Sequence, residues 1–280
     1  MELSKVNELI DPAAGGNGAA LEELLAGIQD FVFNLSLRML GTVSDAEDAT
    51  QEILIKVMTN LSTFRRESKF TTWVYRIAVN YLINYKKSMF SHRPLSFEYY
   101  GKDIEAGTVE NADELLMGVS REDLALELKL SCTNVMLQCL DPQSRCIFVL
   151  GTMFKIDSRV AGEILHMTPE NYRQKLCRIR RKMAEFLSSY CGLTETGICS
   201  CDRRIGYAIQ HNRLNPESLE YSRLKKYDEE ALISYMENME ALDESAMIFS
   251  DLPDYQSPVS AKEFISQLLK SPSMKAIQDF

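Results

Sequence analysis

Long apolar runs are missing from this chain of 280 residues. No stretch approaches the roughly 18 consecutive apolar residues that a membrane span requires. The first residues, with Glu2, Glu8 and Asp11 around Lys5, also lack the basic-then-apolar order of a signal peptide, so the expected location is the cytoplasm, without membrane insertion. Histidine is scarce: only His92, His166 and His211 occur. None stands beside a nucleophile and an acid at an informative spacing, and the expectation is a protein that is not an enzyme. Eight prolines interrupt little, and Leu, Ile, Met, Glu and Lys dominate, a composition that favours helices. Seven cysteines, an odd number and scattered, do not form a disulfide framework. In a reducing compartment they read as free thiols or metal ligands.

What is present is charge, and it is segregated. The net charge of −9 argues at first against a nucleic-acid partner. Yet residues 64–88 hold six basic side chains (Arg65, Arg66, Lys69, Arg76, Lys86, Lys87) against the single acid Glu67. Residues 171–182 hold six more and no acid, whereas residues 203–280 carry nine basic against thirteen acidic side chains. Two short stretches are thus suited to phosphate contact within an acidic protein.

The periodicity predicts an all-α fold: two helical modules joined by a linker, with a helical C-terminal extension. After a weakly structured leader that ends in Gly15-Gly16-Asn17-Gly18, apolar residues from Leu21 to Leu35 recur at helical spacing, as one amphipathic helix ended by Gly41. Ser44 suits an N-cap, with Glu47 completing a capping box. The helix that follows, over about 45–61, puts Ala46, Ala49, Ile53, Val57 and Leu61 on one face. A loop at 62–69 leads to a third helix over 71–88. The expected domains are 1–88, a linker at 89–111 without a period, a second module at 112–190, and a cysteine motif with a helical extension at 191–280.

In the second module, helices are expected over 142–153, 158–165 and 169–187. The last two are joined by His166-Met167-Thr168, where Thr168 can cap and Pro169 can open a helix. Tyr172, Leu176 and Ile179 form an inner face while Arg173, Lys175, Arg178, Arg180 and Arg181 project elsewhere. This is the layout of a helix-turn-helix whose second helix enters the major groove; an ordinary basic surface helix would show the same charges. In the first module an acidic helix, Asp45-Ala46-Glu47-Asp48-Ala49-Thr50-Gln51-Glu52, precedes a basic and aromatic one. Rings and cations together suit single-stranded DNA. Trp73 can equally be a core residue.

The stretch 45–88, with DAEDATQE, FRRESKFTTWVYRIAVN and NYKKS, resembles region two of extracytoplasmic-function sigma factors. The stretch 140–187, LDPQSRCIFVL through VAGEILHMTPENYRQKLCRIRRKM, resembles their region four. The resemblance covers roughly residues 20–190. It implies a sigma factor that directs core RNA polymerase to promoters and assists promoter melting. Asp48, Gln51, Glu52 and Ile55 would then bind the clamp helices of the polymerase β′ subunit. Phe64, Arg65, Lys69, Thr72, Trp73, Arg76 and Asn80 would open the minus-ten element and hold a flipped base. Thr168, Asn171, Arg173, Gln174, Lys175, Arg178 and Arg181 would read the minus-thirty-five element. The implied partners are core polymerase, through β′ clamp helices and β flap, promoter DNA, and an anti-sigma factor. His166 stands where the family usually has a turn glycine, and Gly162 where a packing alanine is usual.

Cys191, Cys199 and Cys201 resemble a cysteine-rich segment that follows region four in a subgroup with C-terminal extensions. They are candidate ligands for a structural zinc, with His211, Cys177 or Asp202 as a fourth; a redox role and inert thiols remain open at this point. Cys132 and Cys139 read as small core residues. The acidic extension could dock on the basic DNA-binding surfaces or pack on region four, and Leu232, Tyr235, Met236 and Met239 fall at helical spacing within it. The competing functions are a helix-turn-helix regulator acting without polymerase and a thiol- or metal-responsive regulator.

Overall fold

A computed structural model describes residues 3–85, 89–92, 94–107, 115–194, 196–225 and 252–270. Lys86 and Lys87, and the expected helix through Leu232 and Met239, lie outside the described residues. Every regular element among the described residues is helical apart from one isolated bridge at Tyr255.

The first module is built from α1 (Leu3–Ala14), α2 (Gly18–Ala26), α3 (Gln29–Leu40), α4 (Val43–Asn60) and α5 (Phe70–Ile83). Three local expectations need correction. The leader is a helix, because Val6, Ile10 and Ala13 share a face that is buried against α2. The single helix expected from Leu21 onward is two: the chain bends at Gly27, whose helical propensity is poor. The bend still lets Leu24, Leu25, Ile28, Val32 and Leu35 meet in one core, all at most 2% exposed. Gly41 ends α3 in the left-handed region at φ 86°, as a glycine can. The cap of α4 is Thr42, not Ser44: its Oγ1 accepts from the Asp45 amide while Asp45 takes the Thr42 hydroxyl. The capping logic was right and its register two residues late. The expected face of α4, Ala46 through Leu61, is buried as a whole.

After the short α6 (Met89–His92), the segment anticipated as a linker forms α7 (Phe97–Ala106), capped by Ser96. Its anchors are aromatic and ionic. Phe97 and Tyr100 pack on Phe186 at centroid distances of 5.0 and 5.9 Å. Asp103 accepts from Arg204 and Tyr207, at 3.0 and 2.8 Å, and from Arg213. Burial works to raise the Asp103 carboxyl, but these donors hold it below the usual carboxylate range.

The second module comprises α8 (Arg121–Leu137), α9 (Pro142–Phe148) running into a π-helical turn (Val149–Met153), α10 (Ser158–Leu165) and α11 (Pro169–Tyr190). Arg145 of α9 knits it to the first. Its guanidinium donates to the carbonyls of Leu137 and Leu140, at 3.0 and 2.8 Å, and to that of Met39 at the end of α3. Helix ends leave such carbonyls unpaired, and burial lowers the Arg145 pKa to about 10.

The extension begins with α12 (Cys201–Gln210), which packs Ile205 and Ala208 on Leu124 and Leu128 of α8. It returns at Leu252 as an extended strap over α3. The chain then forms α13 (Ala261–Lys270) against α2 and α4. The described part of the extension therefore rests on α8 and on the first module, not across the recognition helix.

Candidate nucleic-acid interface

The helix-turn-helix follows from three local features. Asp157 caps α10, and His166 takes the left-handed conformation at φ 53° that ends it. Thr168 then accepts from the Asn171 amide, and Pro169 starts α11. Gly162 explains how closely the two helices approach. A Cβ placed there would lie 2.6 Å from the Met167 carbonyl oxygen, so the turn has no room for alanine.

Along α11, Tyr172 and Ile179 are buried and Leu176 is half-buried, as the inner face requires. The Tyr172 hydroxyl donates to the Ile147 carbonyl at 3.1 Å and fixes the helix on α9. Thr168, Asn171, Arg173, Gln174, Arg178 and Arg181 are exposed, with Lys175 half-buried. Arg173 bonds Ser158 and Glu170, which orients it without burying it. Arg180 turns inward onto Thr152 and the Gly151 carbonyl, at 3.0 and 3.1 Å. Cys177 is exposed on the outer surface of the same helix.

In the first module, α4 and α5 frame an open concavity of about 700 Å³. Its lining includes Lys56, Asn60, Trp73, Ile77, Asn80 and Tyr81. Trp73 packs its ring with Phe64 and Phe70, at 5.4 and 5.7 Å, and part of it lines the concavity. Asn80 is exposed in its lining, whereas Arg65 and Lys69 are exposed on the loop that precedes α5. Thr72 is buried, and Arg76 points to the second module, where it meets Glu163 of α10 at 3.4 Å. Of the seven side chains expected here, Trp73 and Asn80 line the concavity, Phe64 packs on Trp73, Thr72 is buried, and Arg65, Lys69 and Arg76 are not part of the lining. Lys56, Asn60 and Tyr81 were missed: Lys56 and Asn60 lie on α4 and join the motif only when α4 packs on α5, while Tyr81 directly follows Asn80 on α5.

On α4, Asp48 and Glu52 are exposed one turn apart, with Gln51 and Ile55 half-buried beside them. Burial, and then the Glu52 and Asp48 carboxylates, raise the pKa of the neighbouring Tyr81. This acidic face repels phosphate, whereas the loop after α4 attracts it.

The cysteine expectation meets a different environment. The loop after α11 folds back so that the Cys199 amide donates to the Tyr190 carbonyl at 3.0 Å. Burial pushes the Cys191 thiol up to about 12 and the Cys199 thiol up to about 11, and raises Cys201 and Cys132 as well. Among the described residues, no group of three or more His, Cys, Asp or Glu side chains is placed to hold a metal ion. Nor does any helix of the described residues have the length and apolarity to cross a membrane.

Comparison with known proteins points the same way as the geometry. Residues 24–88 match the family described as Sigma-70 region 2. The chain is 28% identical over 183 residues to ECF RNA polymerase sigma factor SigW of Bacillus subtilis, covering 65% of this chain and 96% of that protein. It is 34% identical over 105 residues to the ECF RNA polymerase sigma-E factor of Haemophilus influenzae, covering 38% of this chain and 52% of the relative. It is 31% identical over 98 residues to the RNA polymerase sigma-H factor of Pseudomonas aeruginosa, covering 35% and 50%. In the last two cases the match spans about half of the relative.

Proposed function

We propose, from the premise that this chain belongs to the extracytoplasmic-function group of the sigma-70 family and directs RNA polymerase in transcription initiation, a division of labour among its surfaces. The acidic face of α4, through Asp48, Gln51, Glu52 and Ile55, binds the clamp helices of core polymerase. The loop with Phe64, Arg65 and Lys69 follows the melted minus-ten strand, and the concavity beside Trp73 and Asn80 receives an unstacked base. A ring offers any base a stacking surface, and the amide of Asn80 can pair with a base edge. The exposed side of α11 reads the minus-thirty-five duplex in the major groove, with Arg173 and Arg178 as the side chains able to pair with guanine.

The observation that carries this reading is the pairing on one chain of two different surfaces, each suited to a different form of DNA. One is a groove helix held by a turn; the other is an aromatic concavity beside a cationic loop. The acidic α4 face adjoins the concavity near Tyr81 but carries the opposite charge to the loop, and it suits a protein partner. Such a factor acts by binding, without an active site of its own. Run-off transcription with purified core polymerase and a promoter from its own operon tests the assignment. Promoter-specific transcripts are expected only when the factor is added; their absence under conditions where another sigma factor works would remove it.

A further inference from the structure

The side chains along one stripe of α3 are polar where a core helix is usually apolar. Gln29, Asp30, Asn34 and Arg38 all engage the strap that returns from the C-terminal extension. Asn34, 2% exposed, reads both backbone groups of Tyr255: its amide nitrogen donates to the carbonyl at 2.7 Å and its oxygen accepts from the N–H at 2.8 Å. Arg38 donates to the Pro253 carbonyl at 2.6 Å. Asp30 accepts from the Ser257 amide at 2.7 Å, and Gln29 from the Ala261 amide at 2.8 Å. The side chain of Tyr255 is fully buried, with the Arg38 guanidinium over its ring at 5.8 Å.

The same strap is also held by an earlier part of the extension, which is itself anchored on the second module. The Tyr255 ring packs on Tyr221 at 6.1 Å, and the Gln256 amide donates to the Lys225 carbonyl at 2.8 Å. Glu127 of α8 accepts from the Tyr221 amide at 2.8 Å and from the Ser222 amide and hydroxyl, each at 3.0 Å. Arg38 completes the circuit by donating to Asn134 of α8 at 3.0 Å. Strap, α3 and α8 form one buried polar network across the two modules.

This arrangement has a geometric consequence under the sigma-factor reading, on which the inference rests. The minus-ten and minus-thirty-five elements lie about 25 base pairs apart, roughly 85 Å along a duplex. Here the helix assigned to one touches the helix pair assigned to the other, Arg76 against Glu163 at 3.4 Å. One molecule cannot occupy both elements until its modules separate. We propose that the strap 252–260 is an intramolecular latch that holds the factor closed, and that it must leave the Asn34–Arg38 stripe before polymerase and promoter are engaged together. The α13 helix that follows it packs against α2 and α4, so release also frees one side of the helix assigned to polymerase, whose Asp48 and Glu52 are exposed in the closed state.

The full chain tests this with two variants that leave the first module intact, Tyr255→Ser and Ser257→Pro. The first removes the ring between Arg38 and Tyr221, and the second removes the N–H donated to Asp30. Small-angle scattering of the free protein reads the latch without polymerase or DNA. Both variants are expected to keep their helical signal, to expand, and to bind core polymerase roughly 5- to 150-fold more tightly, the usual range of conformational coupling. An unchanged radius in both variants overturns the latch, as does expansion without tighter polymerase binding when the unaltered chain itself binds polymerase. Loss of helical signal in Tyr255→Ser alone leaves the decision to Ser257→Pro. Loss in both overturns the latch, since the strap is then part of the core. Expansion combined with no polymerase binding by any form, the unaltered chain included, sinks the sigma-factor reading and not the latch.

Discussion

Arg76 of α5 and Glu163 of α10 meet at 3.4 Å across the two modules. Arg76 is one-third exposed and Glu163 about half, so the pair is a surface contact worth under about 1 kcal/mol. Its interest is positional: it places a carboxylate on a cation that a DNA phosphate would otherwise attract. Glu163→Gln is expected to leave the melting temperature within about 2 °C while strengthening binding of a single-stranded minus-ten oligonucleotide. Fluorescence anisotropy with that oligonucleotide, together with calorimetry, reads both effects. Unchanged affinity would show that Arg76 takes no part in the interface.

Charge reversal at Asp48 and Glu52 should abolish association with core polymerase. Both side chains are exposed, so the helical circular-dichroism signal should not move. Pull-down of core polymerase by the double variant at the level of the unaltered protein would refute the clamp-binding face.

Replacing Arg173 or Arg178 by alanine separates two kinds of contact. A bidentate base contact predicts a loss of about 1–3 kcal/mol at the cognate element only. A phosphate contact predicts an equal loss on every sequence and a shallower salt dependence. Arg173 also bonds Ser158 and Glu170, so its variant should lose slightly more stability than that of Arg178. Identical footprints for both variants would take α11 out of the interface.

Gly162→Ala is expected to cost about 1–3 kcal/mol, because the added methyl meets the Met167 carbonyl and the turn must open. Thermal unfolding measures the cost. A neutral or stabilising substitution would mean that α10 and α11 can move apart freely.

Local chemistry was the part of this molecule most legible in its sequence. The turn at His166, the Thr168 cap and the Pro169 start act within a few residues, and each stands where its residue types require. The α4 core face was equally readable, since Ala46, Ala49, Ile53, Val57 and Leu61 keep helical spacing. Thr42 was misread because Ser44 offers the same capping hydroxyl two residues on. Gly41 was legible as the end of the preceding helix, but not that the next helix would start straight after it and make Thr42 the cap. The α7 helix was hidden because its anchors, Phe186, Arg204 and Arg213, lie some 80 to 110 residues away. The bond between Asn34 and Tyr255 spans 221 residues, and no periodicity marks it. Arg145 reads as a basic surface residue until three carbonyls converge on it. Lys56 and Asn60 join the aromatic concavity only through helix packing, so they carried no motif of their own.

The exposed thiol of Cys177 makes the recognition helix its own reporter. Burial raises the thiols of Cys132, Cys139, Cys146, Cys191, Cys199 and Cys201 above their ordinary value, so at neutral pH they hold little of the thiolate that alkylating reagents consume. Cys177 alone stands in solvent, one turn from both Arg173 and Arg181. Iodoacetamide should therefore modify it first, and peptide mass spectrometry should find that product before any other. Upstream-element duplex laid along α11 should slow that modification, whereas a single-stranded minus-ten oligonucleotide should not. Covalent chemistry at one native sulfur would then time the arrival of DNA at this helix, with no foreign dye attached to it.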